Sequence, residues 1–223
     1  MCKRFALWDP PGTISRYFKV GVPVDFKPRY NIAPGQQILA VRQVPGLPRD
    51  AAHFKWGLIP SRTAEESTGS ELFNAMAENA STTPEFTEAF KSRRCLIPAS
   101  GFYAWQPEEA GGQPFLVLPG KTELFAFAGI WEKWSTPRSQ TDITSCAILT
   151  TGADTLLHPL HQRMPAIIEA RDFQDWLDPS VTDEAAVVSL IKPCPGDAVS
   201  VQQVSTAVND IRNDDPSLVE PAE

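Results

Sequence analysis

No run of the 223 residues approaches the ~20 consecutive apolar positions that a membrane span requires. The opening segment, MCKRFALWDPPG, also lacks the apolar block of a signal peptide. The expected setting is the cytoplasm, with no membrane partner. Cysteines are few and scattered. Cys2, Cys95, Cys146 and Cys194 form no CxxC pair, which argues against a zinc knuckle or a redox dithiol, and in a cytosol they stay reduced. Cys95 and Cys146 sit in apolar runs and read as buried, inert thiols. Histidine is scarcer still, at three residues, too few for most metal clusters. The P-loop, GxGxxG, HExxH and GxSxG motifs are all missing. Neither a metal nor an organic cofactor is expected.

Proline, by contrast, is abundant, with 21 residues against 13 glycines. Each proline fixes φ and removes a backbone donor, so the pattern predicts short elements joined by fixed turns rather than long helices. Helices are predicted over residues 13–20, 171–177 and 183–191. A further helix is expected to be capped by Thr83, with Pro84 at its first position and Phe86 and Phe90 on one face. Strands are predicted over 36–44, 53–58, 94–98, 101–105, 115–118, 124–130, 144–150 and 198–204, with PEEAGGQ and PGKTE as turns. The stretch VPVDFKPRYNIAPG reads as extended or turn, and 61–70 as a polar loop. Strands cluster instead of alternating with helices. The implied class is α+β: one compact domain over 1–208, with a mainly antiparallel sheet or distorted β-barrel and short flanking helices. The last segment, 209–223, carries five acids, one arginine and two prolines, and is expected to fray as an acidic tail.

The net charge of -7 hides an asymmetry. Residues 1–105 hold 13 Lys and Arg against 9 Asp and Glu, whereas 106–223 hold 7 against 18. An acidic chain of this kind binds nucleic acid only where its basic residues converge in one groove.

Cys2 has chemistry of its own. Initiator methionine is normally removed before a small residue, which would leave cysteine at the N-terminus. Such a terminus carries an amine of pKa about 7.7–8.0 beside a thiol of about 8.5, so on the order of a tenth of the amine is unprotonated near neutrality. A 1,2-aminothiol condenses with an aldehyde: the amine forms a Schiff base and the thiol closes it to a thiazolidine. The same terminus can instead attack an amide, with its own amine as base. A Cys2 that keeps Met1 has no free amine and can form no thiazolidine.

Eight blocks in order carry a resemblance: MCKRF (1–5), RYNIAP (29–34), WGLIPS (56–61), NAMAE (74–78), RRCLIPASGFYAW (93–105), AFAGIWE (126–132), CAILTT (146–151) and HQRMP (161–165). In these the chain resembles the SOS-response-associated peptidase (SRAP) family, whose members shield abasic sites in single-stranded DNA by covalent attachment. The resemblance implies a DNA–protein cross-linking enzyme of the DNA damage response with associated autopeptidase activity. Its partner would be single-stranded DNA containing abasic sites, and a monomer would suffice. Cys2 would be the nucleophile, Asn74 would hold the terminus and the sugar oxygen, and His161 would transfer protons. Arg4, Arg29 and Arg163 would contact phosphates, and Trp56 and Trp105 would offer flat faces to bases. Read singly, each arginine or tryptophan fits a structural ion pair or a core aromatic equally well, and His161 fits a core imidazole.

Three departures from the family pattern stand out. Ala104 replaces a glutamate thought to shuttle protons and to support removal of the initiator residue; Glu78 and Glu132 are the candidate substitutes. Met76 replaces an arginine, and Lys3 replaces a glycine, where its charge is expected to depress the pKa of the amine and thiol. Two other functions therefore stay open: a degenerate paralogue that binds single-stranded DNA without bonding to it, and a Cys2/His161 amide hydrolase.

Overall fold

The structure is a computed structural model and describes residues 2–106, 112–135, 142–192 and 198–222. In chain order its elements are β1 (Phe5–Leu7), α1 (Pro11–Phe18), β2 (Arg29–Ile32), β3 (Gln37–Arg42), β4 (Asp50–Trp56), β5 (Asn74–Met76) and α2 (Thr87–Ser92). Then follow β6 (Arg94–Ala99), β7 (Gly101–Trp105), β8 (Pro114–Pro119), β9 (Phe125–Trp134), β10 (Ile143–Gly152) and β11 (Arg163–Pro165). The chain closes with α3 (Phe173–Leu177), α4 (Glu184–Ser189) and β12 (Val199–Gln203). No described helix is long and apolar enough to cross a membrane.

The expected α+β architecture is present. Strands β10, β4, β3, β6 and β9 pair in that order, and β9 pairs back onto β10, so the five close into a barrel. Only the β10–β4 pair in this ring is parallel. A second sheet, in the order β12-β8-β7-β1-β2, is antiparallel throughout. Phe5 joins the two layers: its ring packs edge-on against Trp56 at 5.2 Å and Phe127 at 5.9 Å. Both faces of the barrel strands are covered, which is why β6 and β9 read as nearly unbroken apolar runs. Cys95 and Cys146 lie wholly buried among them; Cys194 and most of the PEEAGGQ turn lie outside the described residues.

Strand β10 leaves the barrel before it ends. Its first half lies between β4 and β9, and from Ile148 onward β5 continues the edge that β4 vacates while β11 continues the edge that β9 vacates. Asn74 and Arg163 thereby reach the same end of the molecule. Gly57, just after β4, makes this crossover possible. Its φ is +138°, and a Cβ there would run into the Gly69 carbonyl.

Arg94 is almost fully buried and holds the helices to the barrel. Its guanidinium donates to the carbonyls of Phe90, Lys91, Trp176, Asp178 and Val181, collecting the orphan acceptors at the ends of α2 and α3. Burial brings its pKa down to about 10. The predicted Thr83 cap does not form. Its hydroxyl donates instead to the Asn79 carbonyl at 2.8 Å, within a preceding turn, and α2 begins after Phe86 with no side-chain cap. Phe86 and Phe90 are nevertheless both buried, as their spacing required.

The C-terminal segment does not fray. Val208 and Leu218 are buried, and Val204 bridges Pro221. The side-chain amide of Asn31, wholly buried, lies 2.8–3.2 Å from the carbonyls of Val208, Asp210 and Asn213, while its oxygen accepts from Arg4 at 2.9 Å. Asp214 accepts from the backbone N–H groups of Tyr30 and Asn31 and from Arg29. A fixed set of buried donors overrides the local tail-like composition, so folded structure continues past residue 208. Replacing Asn31 by Ala strands these acceptors, and we expect a loss of about 2–3 kcal/mol, seen by calorimetry as a fall in Tm of roughly 4–12 °C. A change within 1 °C would restore the segment to a loose appendage.

Candidate active site

Cys2 and Lys3 run directly into β1, the strand between β2 and β7. The Phe5 wedge and the Tyr103 N–H, which donates to the Arg4 carbonyl at 3.0 Å, fix this segment against β7. Beyond it opens a small cavity of about 200 Å³. Its walls are Cys2 and Lys3 at the start of the chain, Phe102 to Trp105 of β7, and His161, Arg163 and Pro165 around β11. The volume is below that of a drug-sized pocket and suits a group about the size of a sugar.

Cys2 is only 3% exposed. Its carbonyl accepts a 2.6 Å hydrogen bond from the Asn74 amide, so the second residue is tied to β5 through 72 positions of sequence. The oxygen of the same Asn74 amide is buried and has no hydrogen-bond partner. Burial pushes the Cys2 thiol up to about 12. The expected lowering of the thiol is thus overturned, because loss of hydration is the largest influence on it. In this state the sulfur is a thiol, not a thiolate.

His161 sits at the exposed rim of the cavity. Its Nδ1 accepts from the backbone N–H of Arg163 at 2.9 Å, which puts the proton of the neutral ring on Nε2. Partial burial, with the Lys3 and Arg163 cations, holds its pKa below the usual histidine range. A neutral imidazole with a fixed Nε2–H donor is therefore the resting form at pH 7.

Arg163 lines the cavity but is committed. It makes a two-pronged pair with Glu78 at 2.7 and 2.8 Å and donates to the Thr150 carbonyl at 2.5 Å. The same pair holds the Glu78 carboxyl below its ordinary range, so Glu78 stays ionised and is a poor stand-in for a proton-carrying glutamate. Glu132 is no better placed: it pairs with Arg93 at 2.8 Å and lines a different cavity with Pro84 and Glu88. Ala104, on β7, contributes only a methyl group to the wall, and among the described residues no carboxylate takes part in the lining. Met76, two residues along β5 from Asn74, is exposed. Among the described residues no three His, Cys, Asp or Glu side chains converge as a metal site.

The other expected contacts divide. Trp105 borders the cavity, partly exposed, with its indole N–H donating to Asn209 at 2.7 Å. Trp56 does not face it as a platform: it is wholly buried, donates to the Phe73 carbonyl at 2.8 Å and packs on Phe5, so neither ring face is open to a base. Arg4 is half-buried and bonded to Asn31 and Val208, and burial lowers its pKa. Arg29 pairs with Asp214 and Gln36 beside a separate cavity near His53. Both arginines hold the C-terminal segment in place. Sequence reasoning missed Tyr103, whose hydroxyl donates to the Tyr30 carbonyl at 2.7 Å from the cavity wall. It missed Asn31 and Asp214 too; the only signal for Asn31 was its place inside the RYNIAP block.

The chain is 36% identical over 224 residues to the abasic site processing protein YoqW of Bacillus subtilis, covering 99% of each. It is 34% identical to YoaM of the same organism, over 99% of this chain and 98% of that one. It is 27% identical to the abasic site processing protein HMCES of Gallus gallus, over 89% of this chain and 67% of the relative. A crystal structure of a Bacteroides thetaiotaomicron protein superimposes with a TM-score of 0.88 over the full length of both chains at 22% identity. Residues 1–211 match the family described as SOS response associated peptidase (SRAP), and the chain belongs to that family.

Proposed function

We propose that this protein processes abasic sites by bonding to them in single-stranded DNA through Cys2, once Met1 has been removed, acting as a monomer in the cytoplasm. The observation that carries the reading is the Asn74 side chain, with its amide on the Cys2 carbonyl and its buried oxygen lacking a donor. A free Cys2 amine, on the same residue as that carbonyl, is the donor this oxygen wants. The names of the full-length relatives supply the substrate class.

The ring-opened abasic sugar presents an aldehyde. The Cys2 amine attacks its carbon, a C–N bond forms, and the carbonyl oxygen leaves as water to give a Schiff base. The Cys2 sulfur then adds to that carbon while its proton moves to nitrogen, closing the thiazolidine. The sulfur acts as a thiol adding across an imine, so its raised pKa does not forbid the step. His161 donates from Nε2 to the departing oxygen. Trp105 offers a partly open ring beside the lesion, and Arg163 meets phosphate by exchanging Glu78 for it. Associated peptidase activity would be the Cys2 thiol attacking the Met1 carbonyl: the Met1–Cys2 C–N bond breaks as a thioester forms, freeing the Cys2 amine, and water then hydrolyses the thioester to release methionine.

A second reading, non-covalent grip on single-stranded DNA, is favoured by the absence of a carboxylate at position 104. Denaturing electrophoresis with an abasic single-stranded oligonucleotide separates the two. A denaturant-stable band lost in Cys2→Ala supports the bond; retention only in native gels, weakening with salt, supports the grip. Turnover of an ester or amide without preference for abasic DNA would support a hydrolase instead.

Ala104→Glu returns a carboxylate to the cavity wall. Cross-linking should then quicken by on the order of 10²–10⁴, read in single-turnover time courses. If the carboxylate also assists processing, intact mass should show less retained Met1 in this variant. Equal Met1 content in both proteins would separate processing from position 104.

A further inference from the structure

We propose that Lys3 is a second aldehyde-reactive group of the cavity, its side-chain amine forming a reversible iminium link with the sugar aldehyde of an abasic site. This rests on the proposed function for its substrate, but not on its chemistry at Cys2. The cavity wall contains three nitrogen-bearing side chains with chemistry to offer: Lys3, His161 and Arg163. A guanidinium does not form imines under ordinary conditions, and Arg163 is held by Glu78 and Thr150. A neutral imidazole gives no stable condensation product with an aldehyde. Lys3 is a primary amine, and it is exposed.

Its setting differs from that of the other surface cations near the site. Arg4, Arg29 and Arg163 are each bonded through their side chains to an acceptor on a neighbouring element. Among the described residues no carboxylate or carbonyl holds the Lys3 ammonium, and no carboxylate lines the cavity. The arm is therefore free to swing over an aldehyde delivered to Cys2, its immediate neighbour in sequence. The other polar residues of the lining are Cys2, Tyr103, Trp105, His161 and Arg163. None of them is an anion at neutral pH, since burial raises both the thiol and the phenol. The Lys3 charge also contributes to keeping the His161 ring neutral.

The step balances without a further reactant. The ammonium R–NH3+ and the aldehyde R′–CHO give R–NH+=CHR′ and water: a C=N double bond forms as the C=O double bond breaks, the oxygen leaves with two protons from the nitrogen, and the charge stays on the iminium. Unlike the thiazolidine, this link does not require Met1 to be removed.

The test uses full-length protein, an abasic single-stranded oligonucleotide, and sodium borohydride, which reduces an iminium to a stable secondary amine. Adducts are counted on denaturing gels and located by peptide mass, for the wild type and for Lys3→Arg, which keeps the charge and loses the amine. The proposal expects a borohydride-dependent adduct mapped to Lys3, reduced at least tenfold in Lys3→Arg. Borohydride-dependent adducts confined to the N-terminal amine would overturn it, as would an undiminished yield in Lys3→Arg, which would leave Lys3 a charge only. A Cys2-dependent band that forms without borohydride keeps the thiazolidine reading alive whichever way Lys3 falls. A trapped Lys3 adduct with no such band supports the Lys3 chemistry and removes the thiazolidine.

Discussion

Strand β10 has to satisfy two sets of neighbours, and the site exists because it does. Five strands close a barrel only if β10 pairs with both β4 and β9, yet its last residues pair with β5 and β11 instead. A strand cannot change partners without a break in the edges beside it. Gly57 provides that break on one side, turning the chain out of β4 in a conformation closed to other residues. On the other side β9 simply runs past. The vacated edges admit two three-residue strands, and these bring Asn74 and Arg163 to a segment that begins at the second residue of the chain. The cavity is thus a by-product of barrel closure, supported by rigid strands rather than by mobile loops.

Electrostatics then divide the basic residues by use. Three arginines near the site are bound by Asn31, Asp214 and Glu78, and only one of the three lines the cavity. Among the described residues the lining carries positive and neutral groups with no carboxylate. On the proposed function, such a wall favours an electrophile attached to phosphates and leaves proton transfer to His161. Ala104 is the residue at which this chain parts from the glutamate that its family resemblance implies, and neither candidate substitute replaces the lost group: Glu78 is spent on Arg163 and Glu132 on Arg93.

What could be read from the sequence follows from how each element is stabilised. The long strands β3, β6, β9 and β10 showed themselves because burial on both faces writes a nearly continuous apolar run, whereas β4 is buried only at Phe54 and Trp56. Strands β1, β2, β5 and β11 have three or four residues each, too few for any period, and exist only because distant partners present open edges. Those are the strands around the site, so periodicity found the scaffold and missed the functional end. Cys2, Asn74 and His161 came instead from short blocks matched in order. The same blocks misled for Trp56 and Arg29, since a motif records that a residue matters without saying whether it faces solvent or core. Trp56 matters to packing, under Phe5 and Phe73. The acidic composition of 209–223 suggested looseness because side-chain charge says nothing about the donors waiting on β2.

The Asn31 knot also sets an order of events during synthesis. Arg4, two residues from Cys2, is held by a carbonyl 204 positions further on, and Trp105 by Asn209. A nascent polypeptide still attached at its far end cannot make either bond. Residues near the start must wait for residues 208 and 209 before the cavity rim is complete, and contact of this range is slow to form.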